Sequence, residues 1–236
     1  MSEAAKLGVK RIHLYLHGEP LLHPRLPEMV RFIKNSGLVL HIITNGVNLD
    51  STLMKELMSA GLTSADHIMF SILANSAALH EQIMKGVSHD CVVGNITALL
   101  EHRKKSGANG PVIEVICYAI KENCREIDDF LNHWRGRVDH ARISGRISEH
   151  FAKKHTGETT SFERTDTCPN IWERLTVFWN GDVTICCADL DGDYVIGNLA
   201  SQSIREIWNC QKLDEVRKLH QKKQFHSIPI CQRCDM

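Results

Sequence analysis

The sequence carries no excess of either charge: 28 Lys and Arg balance 28 Asp and Glu among 236 residues. That balance excludes a nucleic-acid binder that works by bulk basicity. No apolar run reaches the roughly 18 residues of a helical membrane span, and the opening residues, Met1 to Lys10, hold no apolar signal core. Internal repeats and low-complexity tracts are absent too, so neither a solenoid nor a fibrous chain is expected. With 43% hydrophobic and 24% charged residues, the chain is not disordered. Its length suits one large domain, or one with a small appendage, and about 70–75% of the unfolded surface can be buried. Cysteine, by contrast, is plentiful. Nine cysteines, an odd number without a leader, fit a reduced cytoplasmic setting with thiolates free for metal better than a disulfide framework.

The first two thirds alternate strand and helix patterns. Strands are expected at Ile12–Leu16, Leu38–Ile43, His67–Ile72, Val112–Ala119 and Val138–Ile143. Between them run helices: one opened near Pro27 and stopped by Gly37, one capped by Asp50 and ended by Gly61, and one over Val92–Leu100 that stops at Gly107. Asn123 and Glu126 have capping-box spacing ahead of Ile127, Phe130, Leu131 and Trp134. Repeated β-α units imply parallel strands joined by right-handed crossovers. Residues 146–167 show no period and read as a linker. Beyond them, Asn180-Gly181 between apolar runs signals a hairpin, Ser203 and Glu206 form a second capping box, and a helix carries Leu213, Val216 and Leu219.

Six of the nine cysteines lie from Cys168 onward. Cys231 and Cys234 form a C-x2-C pair, which turns two sulfurs toward one metal. Cys168 and Cys186 bracket the hairpin. These four can close a tetrahedral or cubane site, and spacing alone leaves zinc and [4Fe–4S] both open. Cys187 competes with Cys186, since strand alternation points the two to opposite faces. Cys91, Cys117 and Cys124 read as buried small hydrophobes, and Cys210 as structural. The 14 histidines are scattered and read as surface or helix residues.

Two sets of motifs point to a family. His17-Gly18-Glu19-Pro20 resembles the Gly-Gly-Glu-Pro segment of radical S-adenosylmethionine (radical SAM) enzymes, with His17 in place of the first Gly. Thr44-Asn45-Gly46 resembles that family's Thr-Asn-Gly stop, and Ser71 stands where a Ser often ends the next strand. In the tail, Cys168-x12-Gly181-x4-Cys186, Ile196-Gly197-Asn198-Leu199, Ile207-Trp208-Asn209 and Cys231-x2-Cys234 resemble the auxiliary-cluster domain called SPASM. The resemblance implies an α/β fold: a partial (β/α) barrel over 1–145, a linker over 146–167, and a small cluster-binding α+β domain over 168–236. It implies SAM contacts at Gly18, Glu19, Pro20, Thr44, Asn45, Ser71 and Gly145, at the C-terminal strand ends where barrel chemistry sits. It implies an auxiliary [4Fe–4S] cluster on Cys168, Cys186, Cys231 and Cys234.

Intact members of the family cleave SAM to a 5′-deoxyadenosyl radical, which abstracts hydrogen from a peptide or a small sugar or cyclitol. The implied partners are such a substrate and a flavodoxin- or ferredoxin-type electron donor, with no nucleic acid and no membrane. One departure qualifies this. The Cys-x3-Cys-x2-Cys triad that binds the catalytic cluster is absent, and the chain reads as starting inside the first β-α unit. The tail also holds cysteines for one auxiliary cluster only, as in the shorter "twitch" version. A non-catalytic iron–sulfur remnant and a zinc-binding interaction module are the alternatives.

Overall fold

Alternation of strand and helix signals through the first 145 residues becomes an open parallel sheet in the computed structural model, which describes residues 2–105, 110–144 and 167–234. The chain divides into two compact units, Met1–Gly145 and Arg146–Met236. In the first, α1 (Ser2–Lys6) leads into β1 (Arg11–Leu14), followed by α2 (Leu26–Asn35), β2 (Val39–Thr44), α3 (Ser51–Ser59), β3 (His67–Ser71), α4 (Ala77–Ile83), α5 (His89–Lys105), β4 (Val112–Tyr118), α6 (Ile127–Trp134) and β5 (His140–Ser144). The five strands are all parallel and stand in chain order, β1-β2-β3-β4-β5. Right-handed crossovers that never reverse direction stack every connecting helix on one face, which curls the sheet into a partial (β/α) barrel.

Strand alternation sorts the side chains between the two faces. Leu40, Ile42, Ile68, Phe70, Ile113 and Val115 pack against helix residues Val30, Ile33, Leu57, Ile96, Leu99 and Phe130 in one continuous core. Each such buried side chain is worth roughly 1.5–3 kcal/mol. The buried Asp66 fastens the lower end of β2, accepting Lys34 Nζ at 2.6 Å and the Leu40 N–H at 2.7 Å, and it closes its own loop by accepting the Thr63 N–H at 2.7 Å.

Two local expectations need correction, and one helix comes in addition to those expected. β1 ends at Leu14 rather than Leu16, because Leu16 has φ 100°, a left-handed conformation that no strand accommodates. α4 carried no clear apolar period and was not expected. The capping box at Asn123 and Glu126 does not form. Glu126 instead accepts the N–H groups of Asn75 and Ser76 at the start of α4, and Asn123 donates to the carbonyls of Leu73 and Tyr118, joining the ends of β3 and β4. The expected linker lies, Thr167 apart, outside the described residues.

The second unit holds α7 (Asn170–Glu173), a sheet of β6 (Thr176–Val177), β7 (Asp182–Thr184) and β8 (Val195–Asn198), then α8 (Ile204–Trp208) and α9 (Gln211–Gln221). The antiparallel order is β6-β7-β8. Gly181 turns the hairpin at φ +88°, and the Ser203–Glu206 capping box opens α8 as expected. Gly197 is required by packing: a Cβ there would meet Ile207 Cγ1 at 2.8 Å. A small core of Ile171, Val183, Ile185, Ile207, Leu213 and Val216 has Cys186, Cys210 and Cys231 against it.

Candidate functional site

Two short turns meet at the C-terminal ends of β1 and β2. Glu19 caps a single 3-10 turn over Pro20–Leu22, accepting the Leu21 N–H at 3.0 Å. The same carboxylate reaches across to β2. It accepts Thr44 Oγ1–H at 2.5 Å and the Asn45 N–H at 2.8 Å. Thr44 Oγ1 in turn accepts the Gly46 N–H at 2.9 Å, and Asn45 Oδ1 accepts the Val47 N–H at 3.0 Å. Gly46 is obligatory here, with φ +78° and Phe70 Cδ1 only 2.6 Å from where a Cβ would sit. Glu19 is therefore a joint between the two turns rather than a solvated helix-start carboxylate. Gly18 is exposed at φ +91°, with open space where a side chain would be. Ser71 is half-buried at the end of β3 and its hydroxyl has no hydrogen-bond partner among the described residues. Gly145 lies outside the described residues, as does its neighbour Arg146.

The sheet face turned away from the helices corrects the reading of the histidines. His13, His41 and His67 stand in register on β1, β2 and β3. Their ring centroids are 4.8 Å and 4.2 Å apart. Burial pushes His41 down to about 4, and His67, His13 and Arg11 push the same way. His41 Nε2 is buried without a hydrogen-bond partner. The lane continues to Glu114 on β4, 2% exposed, which pairs with Arg142 on β5 and lies 3.9 Å from His67 Nδ1. The missed signal was register. Each of the three histidines sits beside a buried or half-buried Ile or Leu in a strand, in the alternation that faces away from the core.

In the second unit His220 links Cys168 with Cys231, and Cys234 lies near Cys186. Asp189, 3% exposed, shapes the loop after β7 by accepting Thr184 Oγ1–H at 2.5 Å and the N–H groups of Asp193 and Tyr194 at 2.8 and 3.0 Å. Within that loop the Ala188 N–H donates to Cys186 Sγ at 3.3 Å. A hydrogen bond with Cys187 and burial push the Cys186 thiol well above the usual thiol range, with the charges of Cys187 and Cys234 acting the same way. Cys186 and Cys187 lie in the loop past the strand end, so strand alternation does not separate them. The buried His220 on α9 faces both Cys168, through its backbone N–H, and Cys231, through its sulfur.

Among the described residues no three His, Cys, Asp or Glu side chains are already gathered around a metal position. The donor chemistry nonetheless suits an iron–sulfur cluster: soft thiols in one small unit, with a backbone N–H aimed at one of the sulfurs. Of the remaining cysteines, Cys117 is buried, and burial pushes its thiol up to about 11. Cys91 and Cys124 are exposed, contrary to expectation. Cys210 caps α9, accepting the Leu213 N–H at 3.5 Å.

Residues 1–133 match the family model of the Radical SAM superfamily, which covers more than half of the chain. The chain belongs to the radical SAM superfamily. Residues 168–235 match SPASM, described as an iron–sulfur cluster-binding domain, so iron–sulfur chemistry comes with the second unit. The chain is 24% identical over 277 residues to the tungsten-containing aldehyde ferredoxin oxidoreductase cofactor-modifying protein of Pyrococcus furiosus, covering 97% of this chain and 74% of that protein. An uncharacterized protein of Treponema pallidum is 23% identical, with 95% of this chain and 63% of that protein covered. The PqqA peptide cyclase of Granulibacter bethesdensis is 42% identical over 71 residues, covering 30% of this chain and 18% of the cyclase.

Solved structures share the fold. SuiB of Streptococcus suis aligns at TM-score 0.67 and 14% identity, over 89% of this chain and 58% of SuiB. BtrN in complex with AdoMet and 2-DOIA aligns at 0.61 and 18%, over 99% of this chain and 76% of BtrN. No helix among the described residues of this radical SAM protein is long and apolar enough to cross a membrane.

Proposed function

We propose that the first unit binds SAM at the ends of β1, β2 and β3, and that the second carries one [4Fe–4S] cluster on Cys168, Cys186, Cys231 and Cys234. These are the parts that, in intact members of the family, serve hydrogen abstraction from a peptide or a small sugar or cyclitol, in the cytoplasm, with electrons from a flavodoxin- or ferredoxin-type donor. The observation that carries this reading is the Glu19 joint, which sets Gly18-Glu19-Pro20 beside Thr44-Asn45-Gly46 at the sheet end where barrel chemistry resides. Cleaved reductively, SAM supplies a carbon radical; the hard chemistry is the cofactor's.

The chain's residues bind and orient. The carboxylate of Glu19 is occupied by three hydrogen bonds, so Glu19 acts as a positioning residue. Open backbone at Gly18 is left to meet the amino group of SAM, with Pro20, Thr44, Asn45 and Ser71 as further contacts; Gly145 belongs to the proposed set and lies outside the described residues. The imidazole lane beneath these ends faces the side from which a substrate would approach. The substrate range draws on relatives: SuiB has been solved bound to its precursor peptide SuiA, the cyclase is named for the peptide PqqA, and BtrN was solved with 2-DOIA.

Equilibrium dialysis with labelled SAM tests the first half. The chain should bind SAM, and Glu19→Ala should weaken binding at least tenfold; equal affinity refutes the assignment. A second reading, an iron–sulfur protein without SAM cleavage, is favoured by one observation: the 236 residues contain no Cys-x3-Cys-x2-Cys. With dithionite and SAM, this chain should give no 5′-deoxyadenosine above a protein-free control. Product above that control rejects the second reading. A zinc module would be colourless, whereas the cluster absorbs broadly in the visible.

A further inference from the structure

His220 is fully buried on α9. Its Nδ1 accepts the backbone N–H of Cys168 at 3.4 Å. Its Nε2 stands 3.5 Å from Sγ of Cys231. Phe225 and Trp172 hold the ring plane, with centroids at 5.5 Å and 6.2 Å. The tautomer follows from these contacts. A backbone amide can only donate, so Nδ1 must present its lone pair. The neutral ring then carries its proton on Nε2, and that proton faces sulfur. The same argument removes His220 as a metal ligand, because Nε2 has no lone pair left in this tautomer.

We infer that His220 is a positioning residue for the iron–sulfur cluster, donating its Nε2–H to the Cys231 sulfur and tying that cysteine to the Cys168 segment. The inference rests on the ligand set proposed above. A donor on a ligating sulfur stabilises negative charge there, and reduction of a cluster adds negative charge. The hydrogen bond therefore raises the reduction potential, beyond any part the ring plays in filling the core.

Three readouts on the full chain test this. In the metal-free protein, nitrogen NMR of labelled histidine should show His220 as the Nε2–H tautomer; an Nδ1–H tautomer overturns the assignment. After anaerobic reconstitution, His220→Phe keeps the ring volume and removes the donor. It should retain most of its iron while its cluster titrates at a lower potential than wild type, and His220→Gln should recover part of the difference. An unchanged potential in an iron-loaded Phe variant reduces His220 to a core residue and overturns the inference. If the Phe variant loads no iron, the wild type decides. Pulsed EPR of the reduced, nitrogen-labelled protein should show the weak coupling of a hydrogen-bonded imidazole, and either no coupling or the strong coupling of a bound nitrogen overturns it. Failure of the ligand set is seen separately: Cys231→Ala would keep its full iron content while the tautomer stayed as predicted.

Discussion

The two units are held together by different means. The first buries a broad aliphatic core between five parallel strands and their helices, and its polar joints, Glu19, Asp66 and Asn123, refine the strand ends. The second has strands of two to four residues and a small core. Its loops hang on polar clamps at Asp189 and on thiols. A unit that small gains most from a staple, because little apolar surface is available to bury. The comparison teaches that metal should matter for stability in one unit and hardly at all in the other.

Metal removal gives the largest contrast. Cys234→Ala should lose most reconstituted iron, whereas Cys117→Ala should keep it; equal iron in both breaks the ligand assignment. Structural metal sites can carry on the order of 10 kcal/mol of folding free energy. Chelation should therefore lower the transition reported by Trp172, Trp179 and Trp208 and leave that of Trp134 in place. A Trp134 transition that moves equally would erase the distinction between the units.

Gly46→Ala comes next. It combines a left-handed φ with a Cβ against Phe70 and should cost the first unit about 3 kcal/mol in urea unfolding. Acid gives a third contrast. His41 and His80 both sit at about 4, chiefly through burial, so the unfolded chain takes up two protons on the way from pH 6.5 to 4 that the folded unit refuses. The stability they contribute is fully present above pH 6.5 and is lost as pH falls toward 4. Shifts of that size would give about 3 kcal/mol per ring, and solvent screening leaves about 2 kcal/mol in all. His41→Asn and His80→Asn should each flatten this slope, and an unchanged slope in both counts against the cause. The smallest effect is Leu16→Gly, which relieves a left-handed leucine and should stabilise the first unit by about 1 kcal/mol, seen as a higher unfolding midpoint.

Much of this was legible in the sequence because local chemistry decided it. Asp50 caps α3, Gly37 stops α2, Asn180-Gly181 turns the hairpin and Ser203 with Glu206 opens α8, each through contacts within a few residues. What escaped depends on partners far along the chain. Glu126 had the right spacing for a local box, but the free N–H groups of Asn75 and Ser76, fifty residues earlier, took its carboxylate. The histidine lane exists only once β1, β2 and β3 align, and His220 gains its meaning from Cys168, 52 residues away. The motif pair at Glu19 and Thr44 was legible as two turns, while the bond that joins them was not.

Strand order carries a kinetic consequence. Because the parallel sheet is assembled in chain order, each new β-α unit pairs with the strand made just before it. Adjacent strands pair at sequence separations such as Arg11 with Val39 and Glu114 with His140, so loop closure stays short and every step resembles the last. During synthesis, β2 can dock on β1 before β3 has left the ribosome, and the growing edge of the sheet is always its youngest strand. The cysteine-rich second unit emerges after these five strands, when each of them has already met its partner.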